Sequence, residues 1–428
     1  MEPSDAASRS LPNLWHIYNL VASPYFQTTL GSRSEKSPLS LFVGRRRELA
    51  TMLATIGGSA SSRQAVGGAP GIGKTTFVQV IKGEAVAANY WTTDEIVPLY
   101  PNDSLESVLG RIVAAVYDAI ITARPQASAP ALESAQQLVR AMRLSGGGMN
   151  LSMFGIGGGA SKSQSAVNPP GAMLIDGPRI LRDMLQWMRD AGAAGVILHI
   201  DNLENLSDRD TAEAADILRS LRDAVLLLDG LHLLLVGTTD AIQTVVNRHP
   251  QVRSVFSSPL ELQPLSIEEV LELLEARYQH LALDSLIAPL QPVDSDTVSA
   301  LYPLFRGDLR ALLKAIEDGA TALLGLSADA PLPVAIGDLR QVLQQRYAVQ
   351  LQGALGEART ANLVAWAKVD PGSTQTQASL KALWELTQGS VSAALKALTE
   401  AGYVEQLPRQ SGEATMYVLS GVSRLVFG

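Results

Sequence analysis

The chain is 428 residues long, 46% hydrophobic and 18% charged, with a formal net charge of −8. This length exceeds one compact core and predicts roughly two to four domains. The acidic balance excludes a uniformly basic nucleic-acid coat, so any DNA contact has to come from a local patch. The absence of cysteine excludes disulfides, iron–sulfur clusters and thiolate zinc sites, and five scattered histidines argue against a histidine metal centre.

Residues 1–10 are polar, with no basic stretch followed by an apolar one, so no signal peptide is expected. Residues 1–40 read as an N-terminal arm. It carries an aromatic cluster, Trp15, Tyr18, Tyr25 and Phe26, followed by a polar linker at 31–38. The aromatics are expected to pack on the next domain; the other reading is that part of the arm helps to cover a bound base. From Leu41 the pattern becomes α/β. Residues 64–67 read as a strand, 74–82 as a helix and 95–100 as a second strand. Residues 104–122 read as a helix with Leu105, Val108, Leu109, Ile112, Val113 and Val116 on one face.

Residues 146–170 interrupt the pattern with many glycines and almost no charge, and read as a surface insertion or a contact loop. A helix follows at 180–191, then apolar strands at 196–200 and 231–236. The most apolar stretch, 224–237, is broken by Asp229 and His232 and is too short to span a bilayer. A cytoplasmic protein with no membrane partner is expected. Alternating strands and helices predict a doubly wound parallel sheet.

Ser266 and Glu269 form a predicted capping box that opens a helix over 267–278. Helices are predicted around 298–305 and over 308–323, with a linker at 327–334.

Residues 68–75 read GAPGIGKT, which fits G-x-x-x-x-G-K-[ST] at every fixed position between a predicted strand and a predicted helix. Gly68, Gly71 and Gly73 let backbone N–H groups wrap phosphates, with Pro70, Ile72 and Thr76 completing the loop, and the helix N-terminus adds a positive dipole end. Lys74 is expected on the β- and γ-oxygens and the Thr75 hydroxyl on Mg²⁺. ATP or ADP and Mg²⁺ are thus the expected ligands. Asp201 ends a buried strand and is the expected second Mg²⁺ contact. Many ATPases carry a Glu next to orient the attacking water. Here Asn202 follows, with Glu204 two positions on, so either Glu204 orients water or hydrolysis is slow.

In this order the pieces resemble the AAA+ ATPases of the replication-initiator, origin-recognition type over residues 41–428, with features of the STAND signalling ATPases. Residues 42–49, FVGRRREL, look like the initiators' F-x-G-R-x-x-E opening beside the adenine, which implies a nucleotide contact for Val43, Gly44 and Arg45. The strand ending at Gly237 looks like sensor 1, implying that Thr238 or Thr239 faces the γ-phosphate. Arg248 and Arg253 lie where the family carries its arginine finger, and Arg253 is the closer match. Residues 307–310, GDLR, match the sensor 2 pattern G-D-x-R and imply that Arg310 swings over the phosphates. By resemblance to STAND proteins, Pro264 would contact the base, and the acids Asp201 and Glu204 look like that group's acid cluster.

At the C-terminus, 378–386 and 391–401 read as helices, with Ser390 as the predicted N-cap of the second. Strands at 403–407 and 414–419 flank a turn at 408–413. Helix-turn-helix followed by a hairpin predicts a winged helix, the domain the initiators carry in this place. Its candidate DNA contacts are Gln388, Ser390, Ser392 and Lys396 on the second helix and Arg409 on the wing.

The expected fold is therefore a P-loop parallel-sheet α/β ATPase core with a helical lid and a C-terminal winged-helix domain. The expected divisions are 1–40 (arm), 41–262 (core, with the insertion at about 143–172), 263–335 (lid) and 336–428 (winged helix). The expected function is an ATP-hydrolysing switch that forms homo-oligomers and engages duplex DNA. One alternative is a STAND-like signalling ATPase, for example in antiviral defence, in which the winged helix docks protein and a separate effector protein is the partner. A second is a scaffold that does not hydrolyse.

Overall fold

The computed structural model describes residues 13–32, 34–94, 96–144, 170–324, 333–407 and 414–427. The glycine-rich stretch and the wing turn with Arg409 lie outside the described residues.

The core is a parallel sheet with helices on both faces. Its strands are β1 (Ser62–Gly67), β2 (Tyr90–Thr92), β3 (Val97–Pro98), β4 (Gly195–Asp201), β5 (Leu231–Val236) and β6 (Leu260–Glu261). Their order across the sheet is β2-β4-β5-β1-β6, and β3 extends the β2 edge by pairing with the end of β4. The central strands are apolar runs because both faces are covered. Ile197, Leu234, Val66 and Val236 pack under α1 (Arg46–Gly57) and α2 (Lys74–Ala87). On the opposite face, Leu198, Ile200, Leu233 and Leu235 pack against α3 (Leu105–Ala123), α4 (Pro130–Leu144) and α5 (Pro170–Asp190). The same cluster takes in α6 (Asp208–Ser220), α7 (Thr239–Asn247) and α8 (Pro250–Arg253). Because β5 lies between β1 and β4, the turn after it falls between the P-loop and Asp201.

The lid begins with α9 (Ile267–His280), opened by the Ser266–Glu269 capping box in both directions. It continues through α10 (Ser295–Leu301) and α11 (Leu309–Leu324). The aromatic cluster of the N-terminal arm packs here, in the lid, whereas Leu39 at the end of the arm lies against Gly83 of the core helix α2. Trp15, Tyr18, Leu20 and Tyr25 are buried among Tyr278, Leu281 and Val293, and the Tyr25 and Tyr278 hydroxyls share a hydrogen bond of 3.0 Å.

The 34-residue α12 (Ile336–Val369) joins the lid to the C-terminal unit and breaks at Gly356, where φ is 75°. Leu339, Leu343 and Tyr347 bury in the lid, whereas Leu351, Leu355, Leu363 and Trp366 bury in the C-terminal core. The stripe therefore serves two partners in turn, which is why no single helical face is visible in the sequence. The winged helix consists of β7 (Gln375–Thr376), α13 (Gln377–Trp384), α14 (Gln388–Glu400), β8 (Val404–Gln406) and β9 (Met416–Leu419), with the sheet order β7-β9-β8. Thr387, not Ser390, caps α14: its side chain accepts from the Ser390 N–H, so the helix starts at Gln388.

The last helix, α15 (Gly421–Phe427), returns to the lid, burying Leu425 in the lid cluster and setting Gly421 against Phe305. Leu425→Ala should cost about 2–5 kcal/mol and lower the urea midpoint for unfolding of the lid and winged helix together; an unchanged midpoint would show that this docking contributes no stability. Among the described residues, no helix is long and apolar enough to cross a membrane.

Candidate active site

The loop 68–73 turns from β1 into α2 through glycine conformations. Gly73, at φ 97°, caps α2, and Gly71, at φ 74°, has the Asp308 carboxylate where a Cβ would stand. Both positions require the freedom of glycine. The turn aims the α2 N-terminus and its unpaired N–H groups at one point, a ready anion site. Lys74 is buried and its Nζ donates to the carbonyls of Gly68 (3.1 Å) and Ala69 (3.0 Å). Burial lowers its pKa, while Glu204 and Asp201 act the other way.

A cleft opens over this loop, between the core and the lid. Pro70, Gly71, Gly73, Lys74, Thr75 and Thr76 form its floor. Glu204 closes one side, and Leu309, Arg310 and Leu313 of the lid helix α11 close another. The remaining wall is the arm segment 26–29, a place that the second reading of the arm allows for, together with Arg277 of α9, which sequence reasoning does not single out. Arg277 is buried and donates through Nη1 to the carbonyls of Pro24 (3.0 Å) and Phe26 (2.8 Å), with its guanidinium 3.9 Å from the Phe26 ring centre. Burial lowers its pKa to about 10. No local pattern marks Arg277, because its role arises only when arm and lid meet.

Asp201 ends β4 with its Oδ2 3.5 Å from Thr75 Oγ1 and 3.0 Å from His199 Nε2, and its Oδ1 accepts from the Asn202 N–H at 2.7 Å. Burial works to raise the Asp201 carboxyl, but contact with His199 and Asn202 and the nearby Lys74 outweigh it and hold it below the ordinary carboxylate value. His199 is wholly buried, and burial depresses its pKa. Thr75 and Asp201 offer hard oxygen donors beside the phosphate-binding loop, a donor set that fits Mg²⁺ shared with a nucleotide. Among the described residues no group of three or more His, Cys, Asp or Glu side chains could hold a metal.

Asn202 adopts a left-handed conformation (φ 84°) and turns its amide to the Leu99 carbonyl at 3.1 Å. Glu204 instead lines the cleft, with Oε2 4.0 Å from Lys74 Nζ. Burial raises the Glu204 pKa despite the attraction of Lys74. Arg310 is exposed at the start of α11 and lines the same cleft. Asp308, just before it, caps that helix by accepting from the Ala311 N–H at 2.9 Å. The same carboxylate lies against Gly71, so the start of α11 abuts the P-loop.

Other predicted residues stand elsewhere. Val43 is buried with Leu265 in the lid cluster, and Gly44 abuts Glu269. Arg45 donates to the carbonyls of Ile72 (2.6 Å) and Gln263 (3.2 Å), supporting the P-loop from outside the cleft lining. Pro264 packs on Gly307. Gly68 and Ile72 lie in the loop but off the lining. Thr238 caps α7, its hydroxyl accepting from the Ala241 N–H at 3.3 Å, and Thr239 donates to Glu261 at 3.2 Å. Arg248 and Arg253 are exposed and do not line the cleft. On α14, Gln388, Ser390, Ser392 and Lys396 are all exposed. Gln388 and Ser392 donate to Gln377, and Lys396 pairs with Glu400 at 3.8 Å.

Comparison with known proteins agrees with this layout. No curated protein matches. Among solved structures, the chain is similar to the Aeropyrum pernix ORC2 protein in its ADPNP–ADP complexes, at 16% identity and TM-score 0.50, over 94% of this chain and 95% of that one. It is also similar to the Aeropyrum pernix ORC1 protein in complex with DNA (15% identity, TM-score 0.44, 96% and 95% covered) and to Cdc6p from Pyrobaculum aerophilum (14% identity, TM-score 0.40, 90% and 97% covered). At 16% identity the likeness to the ORC2 protein is one of fold. Residues 368–420 match the family described as winged helix DNA-binding domain. Residues 41–257, half of the chain and the part that carries the P-loop, Asp201 and Glu204, match the family described as AAA ATPase domain, and the chain belongs to that family.

Proposed function

We propose that the protein is an ATP-hydrolysing switch that assembles with ATP and engages duplex DNA through its winged helix. The convergence of Lys74, Thr75, Asp201, Glu204 and Arg310 around one cleft carries this reading. The P-loop N–H groups and Lys74 bind the phosphates. Thr75 and Asp201 would hold Mg²⁺, which when bound neutralises charge on the β- and γ-oxygens. Glu204 orients the attacking water in the place that Asn202 leaves vacant by turning to Leu99. Arg310 reports the γ-phosphate to the lid, and Thr238 stands at the end of the strand between the P-loop and Asp201. Arg253, exposed and away from its own cleft, reaches the γ-phosphate of a neighbouring copy.

The DNA assignment rests on α14. The winged helix docks on the lid through α15, so the exposed side of α14 stays open. Docking on the lid is also what a signalling ATPase with a separate effector requires, and this is the second reading. Light scattering with ATP–Mg²⁺, ADP or no nucleotide, each with and without duplex DNA, separates the two. An ATP-driven oligomer that retains DNA supports the DNA-engaging switch; an ATP-driven oligomer indifferent to DNA supports the signalling reading. If Lys396 and Arg409 meet phosphates, replacing both by Glu should weaken DNA binding and reduce its log–log salt slope by about two. Unchanged affinity and slope would remove those two residues from the interface.

A further inference from the structure

His199 precedes Asp201 by two residues on β4, so both side chains leave the same face of the sheet. Its neighbours in the strand are Val196, Ile197, Leu198 and Ile200, and its own side chain is wholly buried. An aliphatic residue would suit this place better, because a buried imidazole without partners costs stability. Among the described residues neither ring nitrogen makes a well-formed hydrogen bond. The polar group that Nε2 does approach, at 3.0 Å, is Asp201 Oδ2.

We propose that His199 is a positioning residue that holds the Asp201 carboxylate in the orientation required by Mg²⁺–nucleotide. The proposal rests on the assignment of Thr75 and Asp201 to Mg²⁺. The two restraints on Asp201 act on different oxygens: the Asn202 N–H holds Oδ1 at 2.7 Å and the imidazole contacts Oδ2. The carboxylate cannot rotate without losing one of them. Thr75 Oγ1 lies 3.5 Å from the same Oδ2, so the imidazole sets the distance between the two Mg²⁺ donors. Mg²⁺ demands near-ideal octahedral geometry, and groups that orient a ligand therefore act on metal affinity.

The test uses the full chain and a fluorescent ATP analogue, titrated over a range of Mg²⁺ concentrations and in EDTA. For His199→Leu, the Mg²⁺ concentration that gives half of the Mg²⁺-dependent gain in affinity should rise about 10-fold. Affinity in EDTA should stay at the wild-type value, and the thermal midpoint should hold or rise. His199→Gln, which keeps an N–H donor at the reach of Nε2, should recover most of the loss. A wild-type Mg²⁺ response in the Leu variant, or a Gln variant no better than the Leu variant, overturns the proposal. Wild-type protein that binds the nucleotide without any Mg²⁺ dependence, and is matched by Asp201→Asn, overturns the Mg²⁺ assignment itself.

Discussion

Lys74→Ala is expected to weaken nucleotide binding by roughly 100-fold, on the order of 3 kcal/mol, and to remove hydrolysis with it. The expectation follows from where the chain puts this cation. The Lys74 ammonium is buried against the Gly68 and Ala69 carbonyls at the start of α2, with Glu204 and Asp201 close enough to support its charge. A phosphate in the loop replaces weak dipole contacts with full charges, so the loss on truncation is large. The surrounding backbone is held by glycine turns and by Arg45, which the substitution does not touch. The fold should therefore survive, and circular dichroism should be unchanged. Calorimetric titration with ATP–Mg²⁺ checks the result, and near-normal affinity would sink the assignment of the P-loop as the nucleotide site.

Arg253→Ala is expected to lower the rate of hydrolysis by at least about 10³-fold while ATP binding persists. In the single chain Arg253 is exposed at the end of α8 and stands apart from the cleft lining, whereas Arg310 lines it. A γ-phosphate contact by Arg253 is thus an intermolecular one. The decisive measurement mixes Arg253→Ala with Glu204→Gln, each inactive alone. Some interfaces of a mixed oligomer then join an intact Glu204 to an intact Arg253, and partial activity returns. No recovery on mixing, or full activity of Arg253→Ala in a verified monomer, removes the trans role.

The parts that were legible in the sequence are those whose physics is local. A strand, a glycine turn and a helix start stand consecutively at 62–74, and the capping box at Ser266 needs four residues only. The α14 start was misplaced because Thr387 and Ser390 are both good caps three positions apart, and only the backbone shows which one accepts the N–H. The surroundings of Val43, Gly44 and Arg45 are set nonlocally: once the lid folds over, Leu265 and Glu269 lie against Val43 and Gly44, and Arg45 is drawn to carbonyls from two separate loops.

Local sequence was enough to fix a phosphate-binding loop before a helix, an acid at the end of a neighbouring buried strand, and two helices with a hairpin in the C-terminal unit, since each depends on residues a few positions apart. Tertiary structure alone decided that the arm walls the cleft through Arg277, that Glu204 rather than Asn202 faces Lys74, that His199 touches Asp201, and that α12 and α15 bind the winged helix to the lid. Most of these contacts join segments far apart in the chain, and their geometry is set by how apolar faces are buried together, which no local pattern encodes.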